Sequence, residues 1–143
     1  MSHELKKYTY NQINIGHEET FSVKITEELQ NKFLDISGDI SPIHVDESFA
    51  KNKGFSGRVV YGMLTASFYS TLVGTYLPGE NCLFYESDIK FRKPVFIGDN
   101  LYITGKVTEK NDTFKMITIK ATIRNDNNQI VSSAKLKVGV TNE

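Results

Sequence analysis

Cysteine occurs once in this 143-residue chain, at Cys82, so an internal disulfide is excluded. With no cysteine or histidine beside it, that thiol has no metal-ligand spacing either, and it reads as a small core residue. Net charge is equally scarce. The 17 Lys plus Arg balance 17 Asp plus Glu, which argues against nucleic acid or any other bulk polyanion as partner, although a few local cations can still serve one phosphate group. Proline appears only at Pro42, Pro78 and Pro94, at separated break points, and no repeat, low-complexity tract or Pro/Gly/Ser-rich linker divides the chain. Residues 1–143 are therefore expected to form one domain. No apolar run approaches membrane-spanning length, and Met1 to Lys7 is polar. These two features predict neither membrane association nor a signal peptide, and a cytoplasmic location.

What is present is patterned. From Glu19 to Ile25, Phe21, Val23 and Ile25 alternate as in a half-buried strand, after which Thr26 is placed to cap a helix. Leu29, Phe33, Leu34 and Ile36 then recur at helical spacing, with Glu27 and Glu28 in the first turn, where the helix dipole favours acid, and Gly38 at the end. Ser37 to Val45 reads as a loop crowded with Gly, Asp, Ser and Pro, and Asp46 can cap a short helical turn through Phe49 and Ala50. Val59 to Val73 is the longest apolar stretch. Small residues (Gly62, Ala66, Ser67, Ser70) mix there with large ones, which predicts a helix buried on almost every face. Beyond Asn81 four alternating segments, Cys82 to Phe91, Asn100 to Glu109, Phe114 to Arg124 and Gln129 to Val140, predict an antiparallel meander. The expected class is α+β, a curled sheet around one central helix.

Chemistry concentrates in two places. Only three histidines exist: His3 lies in a terminus expected to fray, His17 beside Gly16 in a turn, and His44 in a proline-stiffened loop five residues after Asp39. An imidazole can exchange a proton near neutral pH, and a carboxylate beside it forms an acid/base pair. The same residues also suit a plain capping loop in which Asp39 holds a neighbouring backbone amide. Gly62 stands near the start of the buried helix, where free amides could stabilise a developing oxyanion, or where a missing side chain merely allows close packing. No nucleophile elbow accompanies either segment.

The order and spacing of three motifs carry a resemblance. Asp39-x-Ser41-Pro42-Ile43-His44 is followed after five residues by Ala50, then by Gly57-x-x-Val60-Tyr61-Gly62-Met63-Leu64, and later by Phe91-Arg92-Lys93-Pro94-Val95-Phe96-Ile97-Gly98-Asp99. From about Gly16 to the C-terminus this resembles the MaoC-like (R)-specific enoyl-CoA hydratases. The resemblance implies a hotdog fold, a homodimer or higher homo-oligomer whose sheets join, and a hydro-lyase acting on trans-2-enoyl thioesters. Asp39 and His44 would activate the water that adds to C3 and return a proton to C2, with Gly62 as the amide donor to the thioester oxygen. Ser41, Tyr61, Met63 and Ser70 would lie about the substrate, and Tyr61, Phe68 and Tyr69 would shape the acyl pocket. Two departures stand out: the family commonly has asparagine where this chain has Ser41, and histidine where it has Tyr61.

No metal and no separate cofactor are implied, since coenzyme A or a phosphopantetheine arm belongs to the substrate itself. Arg58, Lys90, Arg92 and Lys93 are the nearest cations for its phosphates, although any one of them is more often solvated surface charge. Two rival readings share the fold. A hotdog thioesterase usually places a carboxylate on the central helix, and no Asp or Glu occurs between Gly57 and Gly79. A non-catalytic acyl-binding subunit would have no need of both Asp39 and His44, while Ser41 and Tyr61 keep that reading open.

Overall fold

The computed structural model describes residues 2–141. β1 (Glu18–Lys24) leads into α1 (Glu27–Ser37), two short helices α2 (Pro42–Val45) and α3 (Glu47–Asn52), and the central helix α4 (Gly62–Thr71). Four strands follow: β2 (Cys82–Phe91), β3 (Asn100–Asn111), β4 (Met116–Arg124) and β5 (Ile130–Val140). Local chemistry sets most boundaries. Thr26 accepts from the Leu29 amide at 3.2 Å and Gly38 closes α1 in the left-handed region at φ 68°. Asp46 caps α3 by accepting from the Phe49 amide at 3.1 Å.

The five strands form one antiparallel sheet in the order β1-β3-β4-β5-β2, and α4 lies against its concave face with Leu64, Thr65, Ala66, Phe68 and Tyr69 buried. This is the hotdog arrangement. A plain meander is not what forms. β2 precedes β3 in the chain yet pairs with β5, while β1 takes the place beside β3. Strand alternation fixes which side chains face the core but carries no information on which strands are neighbours.

The central helix also starts later than its apolar run suggests. Val59 and Val60 are extended: Val59 bridges to Phe96, and the Val60 amide donates to the Val95 carbonyl at 2.8 Å. At the other end the helix widens into a π turn over Leu72–Tyr76. Residues 37–45 are not purely loop, since Pro42 opens the single turn of α2. Residues 10–12 form a 3-10 turn that no periodicity announces.

His3 is not frayed: its Nδ1 meets the Tyr76 hydroxyl at 2.7 Å and its ring stands edge-on to Phe21. Cys82 is half-buried at the start of the edge strand β2, and burial pushes its thiol up to about 11, so it stays protonated at neutral pH. Among the described residues no helix is long and apolar enough to cross a membrane.

The helix approaches the sheet through a row of small residues. Gly105, Ala121 and Ala134 face one another across β3, β4 and β5, and a Cβ on Gly105 would come within 2.6 Å of Leu72, which is wholly buried. Replacing Gly105 with alanine should therefore overpack the interface and cost about 1–3 kcal/mol. Thermal denaturation should show a lower midpoint, by roughly 2–4 °C for each kcal/mol in a chain of this size. An unchanged midpoint would mean that the contact gives way freely.

Candidate active site

Three segments meet where α4 begins. The first is the loop after α1. Left-handed Gly38 turns the chain sharply, and Asp39 Oδ1 then accepts from both the Ser41 amide at 3.0 Å and the Ser41 hydroxyl at 2.6 Å, closing an Asx turn. The Ser41 hydroxyl first, then its amide, hold the Asp39 carboxyl below the usual aspartate range, with a smaller contribution from nearby His44. Asp39 is thus a carboxylate at neutral pH, tied at one oxygen and without a protein partner at Oδ2 among the described residues.

His44 sits in α2. Its Nδ1 lies 2.8 Å from the Val59 carbonyl, and because a carbonyl can only accept, Nδ1 carries a hydrogen. In the neutral ring Nε2 is then the free, proton-accepting nitrogen. The ring lies 4.3 Å from that of Tyr61, tilted by 31°. Tyr61 is buried at 1% exposure, and its hydroxyl donates to the Asp39 carbonyl at 2.5 Å. Ser41 and Tyr61, the two departures from the family pattern, therefore both act on Asp39, one at its side chain and the other at its backbone.

The second segment is the extended stretch Val59–Tyr61, and Gln30 of α1 fastens it to the first. This glutamine is fully buried. Its Nε2 donates to the His44 carbonyl at 3.2 Å and the Val59 carbonyl at 3.0 Å, while its Oε1 accepts from the Tyr61 amide at 3.3 Å. Tyr61 precedes α4 with no side chain of its own capping the helix. Gln30 takes up the Tyr61 amide from outside and leaves the Gly62 amide, one residue on, at the open end of the helix. Gln30 carried a legible signal that went unused, a polar residue in phase with Phe33 and Leu34 on the apolar stripe of α1.

The third segment is the connection Phe91–Val95. A pocket of about 300 Å³ opens between the three, lined by His44, Gly62 and Thr65, by Phe91, Arg92 and Lys93, and by apolar side chains that include Val60, Val95 and Val131. His44 and Gly62 share it. A Cβ on Gly62 would stand 3.2 Å from the Phe91 ring, so the absent side chain serves close packing as well as leaving the amide accessible. Asp39 does not line the pocket wall, though it lies close enough to feel the charge of His44.

Other candidate residues lie elsewhere. Arg58 donates to the His44 carbonyl at 2.8 Å and reaches Asn31 and Glu27; it clamps the loop and faces a different cleft. Met63 is 61% exposed and Ser70 is exposed near the end of α4, and neither lines the pocket. Phe68 and Tyr69 are core residues, with the Tyr69 hydroxyl donating to Ser132 Oγ at 2.8 Å. Lys90 lies in a separate groove on the sheet, which Arg92 also borders. Thr65 was not anticipated at all. No group of His, Cys, Asp and Glu among the described residues could hold a metal ion.

A hotdog sheet whose enclosed helix presents its amide end to an imidazole in the same pocket defines the class of protein, a hotdog-fold protein with its candidate site at the helix start. Within that class the chain matches the model of the MaoC like domain over residues 11–129, and it belongs to that family. It is 33% identical over 119 residues to an (R)-specific enoyl-CoA hydratase of Rhodospirillum rubrum, covering 83% of each chain. It is also 33% identical over 106 residues to a 3-hydroxybutyryl-CoA dehydratase of Methylorubrum extorquens, covering 74% of this chain and 68% of that one. Among solved structures it is similar to an R-hydratase from Pseudomonas aeruginosa, with a TM-score of 0.92 and 24% identity over 97% of this chain and 89% of the other.

The Asx turn makes a titration prediction. Both Ser41 donors favour the ionised carboxyl, so Ser41→Ala should raise the Asp39 pKa toward the ordinary aspartate value. An NMR titration of the Asp39 carboxyl carbon should show its midpoint move up in the variant. A midpoint that stays in place would show that the hydroxyl does not stabilise the charge.

Proposed function

We propose that this chain is a hydro-lyase that adds water to trans-2-enoyl thioesters to give (R)-3-hydroxyacyl thioesters, or removes it in the reverse direction. The carrying observation is that His44, whose free nitrogen is Nε2, and the amide end of α4 at Gly62 line one pocket. Both close relatives bear names from this chemistry.

In the hydration direction, Asp39 Oδ2 and His44 Nε2 orient a water molecule over C3. As its oxygen bonds to C3, His44 takes up a proton, Asp39 stabilises the imidazolium, and the electrons move onto the thioester oxygen. The Gly62 amide, backed by the dipole of α4, supports that enolate oxygen. Transfer of the proton to C2 completes the product and returns His44 to its neutral form. Water supplies every atom that is added, and the steps need no redox or organic cofactor.

Arg92 and Lys93 at the pocket edge suit the phosphates of coenzyme A or of a carrier-borne phosphopantetheine arm. We read the chain as a single domain, 1–143, acting in the cytoplasm. A thioesterase reading would call for a carboxylate on the central helix, and no Asp or Glu occurs between Gly57 and Gly79.

Replacing either member of the pair should remove most of the activity. Asp39→Asn and His44→Ala should each lower kcat for crotonyl-CoA by about 10²–10⁴-fold, the usual share of one acid/base group, with little change in the melting midpoint for Asp39→Asn and a lower midpoint for His44→Ala, which also loses the bond to the Val59 carbonyl. The loss of enoyl thioester absorbance follows the reaction. Retained hydration in both variants, or release of coenzyme A without hydration by the unaltered protein, would defeat the reading.

The same reading includes a homodimer. β2 is an edge strand of ten residues, with Leu83 47%, Tyr85 61% and Phe91 54% exposed, and long apolar edges in soluble proteins are ordinarily covered. Phe91 is also a wall of the pocket, so pairing along β2 would shelter the site. Light scattering should give twice the chain mass, and Leu83→Lys with Tyr85→Lys should shift it to the monomer and reduce turnover. A monomeric parent protein would overturn the dimer.

A further inference from the structure

Thr65 is 3% exposed and belongs to the pocket wall, yet its hydroxyl has no hydrogen-bond partner among the described residues. Its amide is satisfied, donating to the Tyr61 carbonyl at 3.1 Å. A helical threonine normally turns its hydroxyl back onto a carbonyl of the preceding turn. Leaving a buried hydroxyl unpaired costs on the order of 1–3 kcal/mol, so such a group calls for a reason. Its position supplies one. Thr65 follows Gly62 by three residues on α4, which puts the two on one face, about 4.5 Å apart along the helix axis.

We propose that the Thr65 hydroxyl, itself a covered atom, turns about its Cα–Cβ bond into the pocket and there binds the oxygen at C3 of the substrate: the attacking water in hydration, the 3-hydroxyl group in dehydration. This assignment rests on the hydro-lyase reading and deepens it. A 3-hydroxyacyl thioester carries two oxygens at its reacting end, joined through a three-carbon segment that lets them lie a few ångströms apart. The Gly62 amide receives the carbonyl oxygen. One turn further along, Thr65 is, among the described residues that line the pocket, the one uncharged polar side chain besides His44, and it would hold the C3 oxygen together with the acid/base pair, since Val60, Val95 and Val131 offer it no polar group. The hydroxyl can donate to that oxygen or accept from it as the proton moves. A site that satisfies the 3-oxygen in this way selects for it, because a ligand without it leaves the buried hydroxyl unpaired.

The test uses Thr65→Val, which keeps the shape and removes the hydroxyl, and Thr65→Ser, which keeps the hydroxyl. The unaltered protein should bind 3-hydroxybutyryl-CoA more tightly than butyryl-CoA by calorimetry. Thr65→Val should reduce that preference about tenfold, the equivalent of one neutral hydrogen bond, and lower kcat/KM for crotonyl-CoA to a similar degree. Thr65→Ser should retain both. The melting midpoint of Thr65→Val should be equal to or above that of the parent, since the hydroxyl has no protein partner to lose. A lower midpoint with unchanged preference and turnover would assign the hydroxyl to the fold and overturn the proposal. Turnover of no enoyl thioester by the unaltered protein would instead fail the hydro-lyase reading itself.

Discussion

The Val59 carbonyl accepts two hydrogen bonds, one from His44 Nδ1 and one from the buried Gln30 amide, and the relation between the acid/base loop and the central helix depends on it. The first bond fixes which imidazole nitrogen is free. The second, with the companion bonds of Gln30 to the His44 carbonyl and the Tyr61 amide, holds the loop, the extended entry to α4 and α1 in one arrangement. A buried amide satisfied on both its donor and acceptor sides is favourable only while all its partners stay in place. That condition ties the site together more tightly than packing alone would. Arg58 adds to it from the solvent side, through the same His44 carbonyl.

Around that joint, Ser41 and Tyr61 work on Asp39 as a pair. Serine offers a hydroxyl and an amide to one carboxylate oxygen, while tyrosine reaches the backbone carbonyl of the same residue. The first stabilises the ionised form of Asp39 and the second ties its loop back to the start of α4. Neither residue lines the pocket, so in the proposed mechanism their effect would pass through the position and charge of Asp39 and not through contact with an acyl chain.

The sheet contributes in a different way. Small residues across β3, β4 and β5 admit Leu72, which seats the C-terminal end of α4 and its π turn. The N-terminal end is left facing the connection after β2, where Phe91 packs against Gly62 and Arg92 and Lys93 reach the pocket. The edge strand and the site therefore share a residue, and covering one would alter the other.

The amino-acid sequence by itself determined the elements and the chemistry available to them. Thr26, Gly38 and Asp46 marked helix ends through their own hydrogen bonds or backbone freedom, alternation marked the strands, and the proline-stiffened loop singled out His44 from three histidines. These are properties of neighbouring residues and can be read locally. Tertiary structure alone decided the strand order, the later start of α4 and the partners of each polar group. Val59 and Val60 are as apolar as the helix after them, and only their pairing with Val95 and Phe96 makes them extended. Gln30 and Arg58 took their positions from groups 14 to 31 residues away, and the Thr65 hydroxyl stands out by having no partner among the described residues. Spacing along a chain does not encode such distances, because they are set by how helix and sheet close on each other.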